Sequence, residues 1–351
     1  MYKHIIITIA TLISLQTLAE DHPSAAELLD KYAATQENFC SFISKTENTI
    51  EFESKPNNPN FKKSYQKNFK REDFRYDNGK RANLRTHIWG DVHPTIPPVS
   101  EDNPSYTSSL ADSEIDRWYG KPGIQINDPG TMTISKKTEL VKVAKRTSLS
   151  RAYKGHEILG YLFGDDDRVD AVLRRANKIA VRDTTENISG SDCFVIDAVT
   201  ERGKYTIWID PQHGYNIAKA EVIRKEGDLI YDYGALKDGD QYYTSLSNVQ
   251  FQQINGVWIP IEADIKYRWD LPQKYDYYEN IHHKVTEFII NPDHEALGSF
   301  ASDDIQNGAK VRVVEKDGSF TSIGYTWQDG KVIDKDGKVI MDFRPKKPTK
   351  K

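Results

Sequence analysis

Acidic side chains are the residues of this sequence that could do acid–base chemistry. A glycosidase needs two facing carboxylates, and Glu221 with Glu262 and Asp264 could supply such a pair. The chain holds 52 Asp and Glu residues, however, so pairs of this kind arise by chance. An unrecognised hydrolase is therefore the least favoured function, and Asp210 and Glu221 are the carboxylates whose neutralisation would test it.

Motifs for a nucleophile or a cofactor are missing from the sequence. There is no Gly-x-Ser-x-Gly elbow, His-Glu-x-x-His segment, Walker loop or Gly-x-Gly-x-x-Gly segment. Such motifs place a serine, a zinc ion or a phosphate in a defined turn or helix. We therefore expect a protein that is not an enzyme, with no catalytic residue and no cofactor.

The histidines do not converge in the sequence. His282 and His283 are neighbours, so on a strand they point to opposite faces and do not share a metal ion. His213 belongs to a turn, and His87 lies beside Trp89 on a strand. Because a metal site needs three or four converging ligands, we expect structural or surface roles for these side chains and no metal.

Cys40 and Cys193 are the two cysteines of the chain. A single long-range disulfide between them is one interpretation, because an exported protein meets an oxidising compartment. Two buried free thiols are the other interpretation, since free cysteine behaves as a small apolar residue. Neither cysteine belongs to a Cys-x-x-Cys pair, which argues against a metal site.

The N-terminal segment predicts export. It begins with Lys3, continues through an apolar run from Ile5 to Leu15, and ends at Thr17-Leu18-Ala19. Small residues at the −3 and −1 positions, here Thr17 and Ala19, are typical of a signal peptide cleaved after Ala19. The apolar run is shorter than the roughly 20 residues that span a bilayer, so a membrane anchor is the less favoured alternative. We expect a periplasmic or otherwise secreted protein that is not an integral membrane protein.

Charge and composition exclude two broad classes of protein. Lys and Arg number 48 against 52 Asp and Glu, a net charge of −4, whereas a nucleic-acid-binding protein needs a basic surface. The 19 Tyr, 13 Phe and 6 Trp residues distinguish the chain from a disordered one. We expect a Tyr-rich globular monomer that does not bind nucleic acid.

Two helices are predicted to cover a sheet. Ser24 followed by Glu27 is a capping box, and apolar residues at helical spacing come after it. A second helical pattern lies near residues 166–177, with acidic residues at its start and basic ones at its end. Asp165-Asp166-Asp167 then supplies cap and first-turn charge. A calcium loop, the alternative, would need spaced oxygen ligands and a glycine.

Most of the remaining chain has the alternation of β-strands. The turn signals Asp77-Asn78-Gly79 and Asn255-Gly256 predict hairpins, and the proline-containing residues 91–112 predict an irregular loop. So many antiparallel strands predict a mainly β fold with helices, in which a strongly curved sheet forms an unclosed β-barrel covered by one or two helices. The predicted strands are 42–52, 64–76, 82–89, 193–196, 205–209, 217–223, 229–233, 242–246, 249–254, 257–269 and 284–290.

The C-terminal part predicts a separate module. Short strands near residues 311–314, 323–327, 331–333 and 339–341 are separated by Asp-Gly turns, which is typical of β-hairpins that dock on a larger sheet. The predicted domains are a signal peptide at 1–19, a helix-covered β-domain at 20–298, a C-terminal β-hairpin extension at 299–343 and a basic disordered tail at 344–351.

Aromatic and aliphatic residues are dense on the predicted strands. Each one is most simply a core residue, because aromatic side chains dominate core burial. One or two helices do not fill the whole inner face of a curved sheet, however, so we expect an apolar cavity whose natural ligand is lipid. The predicted lining residues are Trp89, Tyr205, Ile207, Trp208, Ile209, Tyr215, Trp258 and Ile259.

Four segments carry a family resemblance: Ala25–Tyr32, Phe74–Gly79, Gly203–Tyr215 and Ala218–Val222. The last two form a strand ending in Trp-x-Asp-Pro, a Gly turn, and a strand with Lys and Glu. Together with the order of elements over residues 24–290, they resemble the LolA/LolB-like superfamily of periplasmic lipoprotein carriers and outer-membrane lipoprotein-sorting proteins.

The resemblance implies an unclosed antiparallel barrel whose apolar concave face, covered by helices, holds acyl chains without chemistry. It implies transport of lipid or lipoprotein acyl chains in outer-membrane biogenesis. The length of the chain and the 299–343 module depart from a minimal carrier. The alternative is an envelope interaction module that binds a polysaccharide or an envelope protein through Tyr and Trp side chains.

Overall fold

The structure is a computed structural model of the 351-residue chain. It describes residues 22–57, 62–78, 81–91, 97–103, 105–112, 124–128, 131–135, 156–162, 165, 167–230, 234–237, 239–272, 275–300, 305–314, 320–321 and 324–344. The predicted signal peptide and the basic tail beyond Arg344 lie outside these residues.

Helix α1 (Ala25–Gln36) begins at the predicted capping box. The Glu27 backbone N–H donates to Ser24 Oγ at 3.2 Å, and the Ser24 backbone N–H donates to Glu27 Oε2 at 2.7 Å. Both bonds satisfy donors that a helix start otherwise leaves free. The buried side of α1 carries Leu28, Leu29 and Tyr32. A 3₁₀ turn (Glu37–Phe39) leads into the first strand.

The protein is mainly β, as predicted, with α1 on one side of a large antiparallel sheet. Of the loop predicted at 91–112, residues 105–112 form a strand instead, and two strands between residues 124 and 135 were not predicted. The strands are β1 (Ser41–Pro56), β2 (Ser64–Asp77), β3 (Arg81–Gly90), β4 (Ser105–Asp112), β5 (Ile124–Asp128), β6 (Thr131–Ser135), β7 (Lys178–Val181), β8 (Glu186–Ile188), β9 (Ser191–Thr200), β10 (Gly203–Asp210), β11 (Asn216–Arg224), β12 (Gln241–Ile254), β13 (Val257–Leu271), β14 (Tyr275–Ile290), β15 (Lys310–Val314), β16 (Phe320–Thr321), β17 (Thr326–Gln328), β18 (Lys331–Ile333) and β19 (Val339–Asp342).

The order of strands in space is a meander in which β1 is central. Strands β9 to β14 pair in chain order, β14 then pairs with β1, and β1 to β6 continue in chain order, all antiparallel. Strands β7 and β8 both pair with β9. Within the described strands this is an open series, because no pairing joins the β9 side to the β6 side.

The two predicted hairpins are present. Strand β2 ends at Asp77 and β3 begins at Arg81, while Gly79 of the predicted turn lies outside the described residues. Between β12 and β13, Asn255 has φ +51° and Gly256 has φ +81°. Two successive positive φ angles are what a two-residue hairpin turn requires, and Asn-Gly accommodates them best. Of the predicted strand at 229–233, Leu229 forms an isolated bridge with Ala235, and residues 231–233 lie outside the described residues.

The second helix is shorter than predicted. It is α2 (Val169–Leu173), preceded by a 3₁₀ turn at His156–Leu159. The chain turns after Leu173 and enters β7 at Lys178, since β7 pairs with β9 and extends the sheet. The apolar spacing of the sequence predicted a helix as far as residue 177, but the pairing of β7 with β9 ends the helix earlier.

The C-terminal strands have a hydrophobic core of their own. Strand β15 pairs in parallel with β6, so a segment from the middle of the chain joins them. The predicted hairpins at β17–β18 and β18–β19 are present. Within the described part of the chain, no helix is both long and apolar enough to cross a membrane. The buried residues of this second core are Met132, Ile134, Ile305, Ala309, Val311, Val313, Trp327, Val332 and Met341.

Candidate functional site

The candidate site is the face of the large sheet on which α1 lies, called here the inner face. One row of side chains crosses it from strand to strand in register, and every member is 0–1% exposed. These side chains belong to the main hydrophobic core, together with Leu28, Leu29 and Tyr32 of α1. We call this region the apolar half; its row is Ile196, Ile207, Ala220, Leu246, Ile265 and Ile281.

A lid made of α1, the 3₁₀ turn at His156–Leu159 and α2 covers the apolar half. Tyr32 Oη donates to the Leu159 carbonyl oxygen at 3.1 Å, which joins α1 to the turn. Gln36 Nε2 donates to Asn216 Oδ1 at 3.2 Å, which joins α1 to β11. Gly160 has φ +81°, and a Cβ added there would lie 1.9 Å from Tyr32 Oη. The lid is therefore fitted closely, and a further hydrogen bond, from Thr35 Oγ1 to the Gly214 carbonyl oxygen, also holds α1.

A fully buried ion pair fixes the segment between the 3₁₀ turn and α2 to the sheet. Arg224 Nη2 lies 3.0 Å from Asp165 Oδ1, and both side chains are 0% exposed. Tyr205 Oη donates to Asp165 and accepts a hydrogen bond of 2.9 Å from Arg224. Burial raises the pKa of Asp165, and the nearby guanidinium opposes that shift. The two side chains must stay together, because either charge buried without the other would be strongly destabilising.

Strand β2 turns a polar side inward. Its buried side chains Gln66, Asn68, Lys70 and Glu72 are 3–9% exposed, and we call this run the polar wall. Lys70 Nζ forms an ion pair with Glu72. Asn68 lies opposite Ile50 of β1, and Ile50 is in register with Ile281 of the apolar half. The polar wall therefore continues directly from the apolar half across the same face.

A buried imidazole extends the polar wall onto β14. Asn48 Nδ2 donates to Glu72 Oε2 at 3.1 Å, so Asn48 Oδ1 is the acceptor for His283 Nδ1 at 2.6 Å. His283 therefore carries its proton on Nδ1. Burial lowers the pKa of His283 to about 4, which keeps the ring neutral near pH 7.

A buried carboxylate from the lid faces the same region. Tyr267 Oη of β13 donates to Glu157 of the 3₁₀ turn, and His156 Nε2 lies 3.0 Å from Glu157 Oε1. Burial alone would raise the pKa of Glu157, but His156 and the hydrogen bonds lower it overall. An ionised carboxylate thus lies where the lid meets the sheet.

Several buried polar atoms on this face lack a hydrogen-bond partner within the described part of the chain. They are Gln66 Nε2, Asn68 Oδ1, Thr244 Oγ1 and Glu157 Oε2. Thr244 pairs in register with Tyr267, which hydrogen-bonds Glu157. Buried polar groups are nearly always hydrogen-bonded, so such atoms indicate a place that a ligand or water completes.

The predicted lining residues separate onto different surfaces. Tyr205, Ile207, Ile209 and Ile259 are buried in the main core on the inner face. Tyr215 is half-buried beside α1, where its hydroxyl accepts a hydrogen bond of 3.1 Å from Lys31 Nζ. The remaining three lie elsewhere: Trp208 packs with Cys193 and Val195, Trp258 contacts His213, and Trp89 stacks on Phe69.

Prediction missed the polar wall. The sequence shows the alternation of β2, but in its first half Tyr65 and Phe69 suggest the wrong buried side, since Tyr65 is 57% exposed; Phe74 and Tyr76, further along the strand, lie on the buried side. The only sequence signal was the regular recurrence of Gln66, Asn68, Lys70 and Glu72 at every second position.

Both cysteines are free thiols in the structure. Cys40 is half-buried at the end of the first 3₁₀ turn, and Cys193 is buried with Val195 and Trp208. Burial raises the pKa of Cys193 to about 12, so this thiol stays protonated. Of the two interpretations, the structure has separate thiols.

The opposite, outer face has a groove with acidic and imidazole side chains. Glu262, Asp264 and His282 line a cavity of about 460 Å³. His282 Nδ1 lies 2.8 Å from Asp264, and Nε2 lies 3.4 Å from Glu262. As predicted, His282 and His283 point to opposite faces. Glu221, the third carboxylate considered, instead forms an ion pair with Lys219 at 2.8 Å.

A second cavity of about 180 Å³ adjoins the first and contains Asp210 and His213. Ser191 Oγ donates to Asp210 Oδ1 at 2.6 Å, and His213 Nδ1 lies 2.6 Å from Asp210 Oδ2. Nucleophilic catalysis needs the imidazole to accept the serine proton, whereas here both groups bind the carboxylate. The described residues contain no group of three or more His, Cys, Asp or Glu side chains that could hold a metal ion.

Comparisons with known proteins give structural matches only. No protein-family model matches the sequence, and no curated protein matches it. A DUF1329 family protein from Desulfovibrio piger matches with a TM-score of 0.34 and 12% identity, covering 80% of this chain and 98% of its own. A LolA superfamily protein from Nitrosomonas europaea matches with a TM-score of 0.29 and 13% identity, covering 80% and 99%.

MucB, in a complex with MucA(peri), matches with a TM-score of 0.22 and 8% identity, covering 74% of this chain and 93% of its own. All three TM-scores are below 0.5, and no residue role is transferred from these proteins. The superfamily that the sequence resembles is represented among the matched structures.

Proposed function

We propose that the protein is an exported, non-catalytic carrier that holds an amphiphile on the inner face of a strongly curved, unclosed sheet. The observation that carries this proposal is the inner face itself: an apolar half under a lid passes directly into a buried polar wall. An amphiphile has the same two parts. The signal-peptide pattern at residues 1–19 supports export, with residues 20–298 as the binding domain and 299–343 as an accessory module.

The acyl chain is proposed to lie along the apolar half. Tyr205, Ile207, Ile209 and Ile259 are the predicted lining residues that face this side. Removing apolar surface from water contributes about 25 cal/mol per Å². A long acyl chain therefore gains a large free energy when it moves from water onto the apolar half. The lid already buries these residues, so the chain binds only when α1 moves outward.

Outward movement of α1 must break the hydrogen bonds that hold it. A net hydrogen bond contributes about 1 kcal/mol, and the bond from Tyr32 to Leu159 joins α1 to the 3₁₀ turn, so α1 must break it to move outward on its own. Tyr32→Phe removes the hydroxyl and keeps the ring in place. We expect about fivefold faster uptake of an apolar probe, since about 1 kcal/mol corresponds to that ratio of open lids.

The test combines two measurements on the full mature chain. Protein purified without detergent is extracted with organic solvent, and mass spectrometry of the extract is expected to show acyl lipid. Stopped-flow fluorescence then follows uptake of N-phenyl-1-naphthylamine by the wild type and by Tyr32→Phe. Tyr65→Phe is the matched control, because Tyr65 is 57% exposed. An extract without lipid, together with a dye that no acyl compound displaces, would overturn the proposal.

A second candidate function uses the outer groove. Trp258 meets His213 edge-on at 4.7 Å, and His213 stacks on Phe251 at 4.8 Å. Aromatic rings beside acidic side chains are suited to stacking on sugars or to anchoring a protein partner. This favours the alternative of an envelope interaction or polysaccharide-binding module. Pull-down from envelope extracts distinguishes it, because Trp258→Ala would then abolish capture of a specific partner without altering lipid content.

A further inference from the structure

We propose that the polar wall binds a neutral, hydroxyl-bearing headgroup, such as the glycerol of a lipid with an ether- or ester-linked chain. This inference rests on the proposed carrier function and names the chemistry of the ligand. It gives a binding role to the buried polar side chains of β2, whose burial the apolar core does not explain.

The position of the wall fits a headgroup rather than a chain. Asn68 lies across from Ile50, which is in register with Ile281, so the wall begins where the apolar row ends. Gln66 and Asn68 are alternate residues of one strand, which places them roughly 7 Å apart on the same face. Adjacent hydroxyl groups of a small polyol span a comparable distance together with their hydrogen bonds.

The unpartnered atoms select the kind of headgroup. Gln66 Nε2 is a donor, whereas Asn68 Oδ1 and Glu157 Oε2 are acceptors, and none has a partner among the described residues. A hydroxyl group both accepts and donates, so it satisfies either kind of atom. A phosphate or carboxylate only accepts, and an ammonium only donates. A hydroxyl-bearing headgroup therefore completes both kinds of atom with a single kind of group.

The charges around the wall disfavour an anion. Lys70, its cation, is already paired with Glu72, and Glu157 and Glu279 add two further buried carboxylates. His156 Nε2 lies 3.0 Å from Glu157 Oε1. An anionic headgroup would therefore meet acceptor oxygens without a free cation on the wall.

The test compares ligands that share one chain and differ in headgroup. Full-length mature protein is titrated, below the critical micelle concentrations, with 1-O-dodecylglycerol, dodecanoate and dodecylammonium, and displacement of N-phenyl-1-naphthylamine is measured. We expect dodecylglycerol to bind at least tenfold more tightly than either charged compound. Equal binding of all three, or tightest binding of a charged one, would overturn the headgroup inference and leave the carrier function standing. Binding of none would overturn the carrier function as well.

Variants of the wall locate the preference. Asn68→Leu removes the acceptor with little change in volume, and we expect the tenfold preference to fall to threefold or less while a dodecyl chain still binds. Gln66→Met is the second variant if Asn68→Leu does not fold. Phe69→Leu, one residue along on the outer side, is the matched control and should retain the preference. A preference unchanged in both wall variants would show that the headgroup lies elsewhere.

Discussion

Replacing Arg224 by methionine should strongly destabilise the protein, because it breaks a fully buried ion pair. Arg224 and Asp165 are both 0% exposed and 3.0 Å apart, so the substitution leaves a carboxylate in the core without its main partner. Tyr205 Oη remains as a donor at 2.9 Å, and Arg202 is the next cation, with Nη1 at 3.8 Å.

The expected loss of stability is set by the Asp165 carboxylate, which stays buried after Arg224 is replaced. Removing one member of a buried ion pair costs about 3–5 kcal/mol, because the remaining charge keeps its desolvation penalty. Replacing both members by apolar groups avoids that penalty, so the double variant Asp165→Leu with Arg224→Met should recover at least about 2 kcal/mol relative to Arg224→Met alone. The two substitutions are therefore strongly non-additive.

Urea denaturation followed by tryptophan fluorescence measures these differences for the wild type, both single variants and the double variant. The exposed pair Arg268–Asp270 provides a matched control, since Arg268→Met should change stability by less than about 1 kcal/mol. A cost below about 1 kcal/mol for Arg224→Met, or additive single effects, would refute the view that this pair fixes the lid segment through mutual neutralisation.

Three further predictions concern other parts of the fold. Burial holds the pKa of His283 at about 4, below its ordinary 6.5, so the unfolded chain takes up this proton first as pH falls. This contribution to stability is complete above about pH 6.5 and declines by about 1.36 kcal/mol per pH unit towards pH 4; urea titrations of His283→Asn should show a smaller slope. Ser24→Ala should cost about 1 kcal/mol by removing the cap of α1, measured by thermal unfolding. A thiol reagent should modify Cys40 in the native protein and Cys193 only in urea; equal rates would contradict the burial of Cys193.

Helix α1 could be predicted because its signal is local. The Ser24–Glu27 capping box and the apolar spacing lie within one segment, and the structure begins the helix at Ala25 with both cap bonds formed. The Asn255-Gly256 hairpin is equally local, since the turn conformation is set by two residues.

The inward side of β2 could not be predicted from hydrophobicity. In the first half of β2 the aromatic residues Tyr65 and Phe69 alternate with Asn68 and Lys70, yet Asn68 and Lys70 are the buried residues. Their burial depends on pairing with Asn48 and its neighbours on β1, which a period-two pattern does not contain. The polar wall could therefore be identified only from the register between β1 and β2.

Long-range pairing explains the other differences. Strand β6 pairs with β15 between residues 131–135 and 310–314, and no local pattern links segments so distant in the chain. The end of α2 depended likewise on β7 pairing with β9. The C-terminal hairpins, by contrast, were predicted from their own Asp-Gly turns.

The central place of β1 has a consequence for how the chain folds. Its partner β14 begins at Tyr275, and Lys45 contacts Glu287 across 242 residues of sequence. Closing so long a loop has a high entropic cost that no local contact repays, so this pairing forms late and slowly. Until β14, which ends at Ile290, has been synthesised, the edge of β1 that pairs with it has no partner. Strands β1 to β6 can pair with one another before β14 is made, but the β9–β14 half of the sheet can join them only after this last long strand is available.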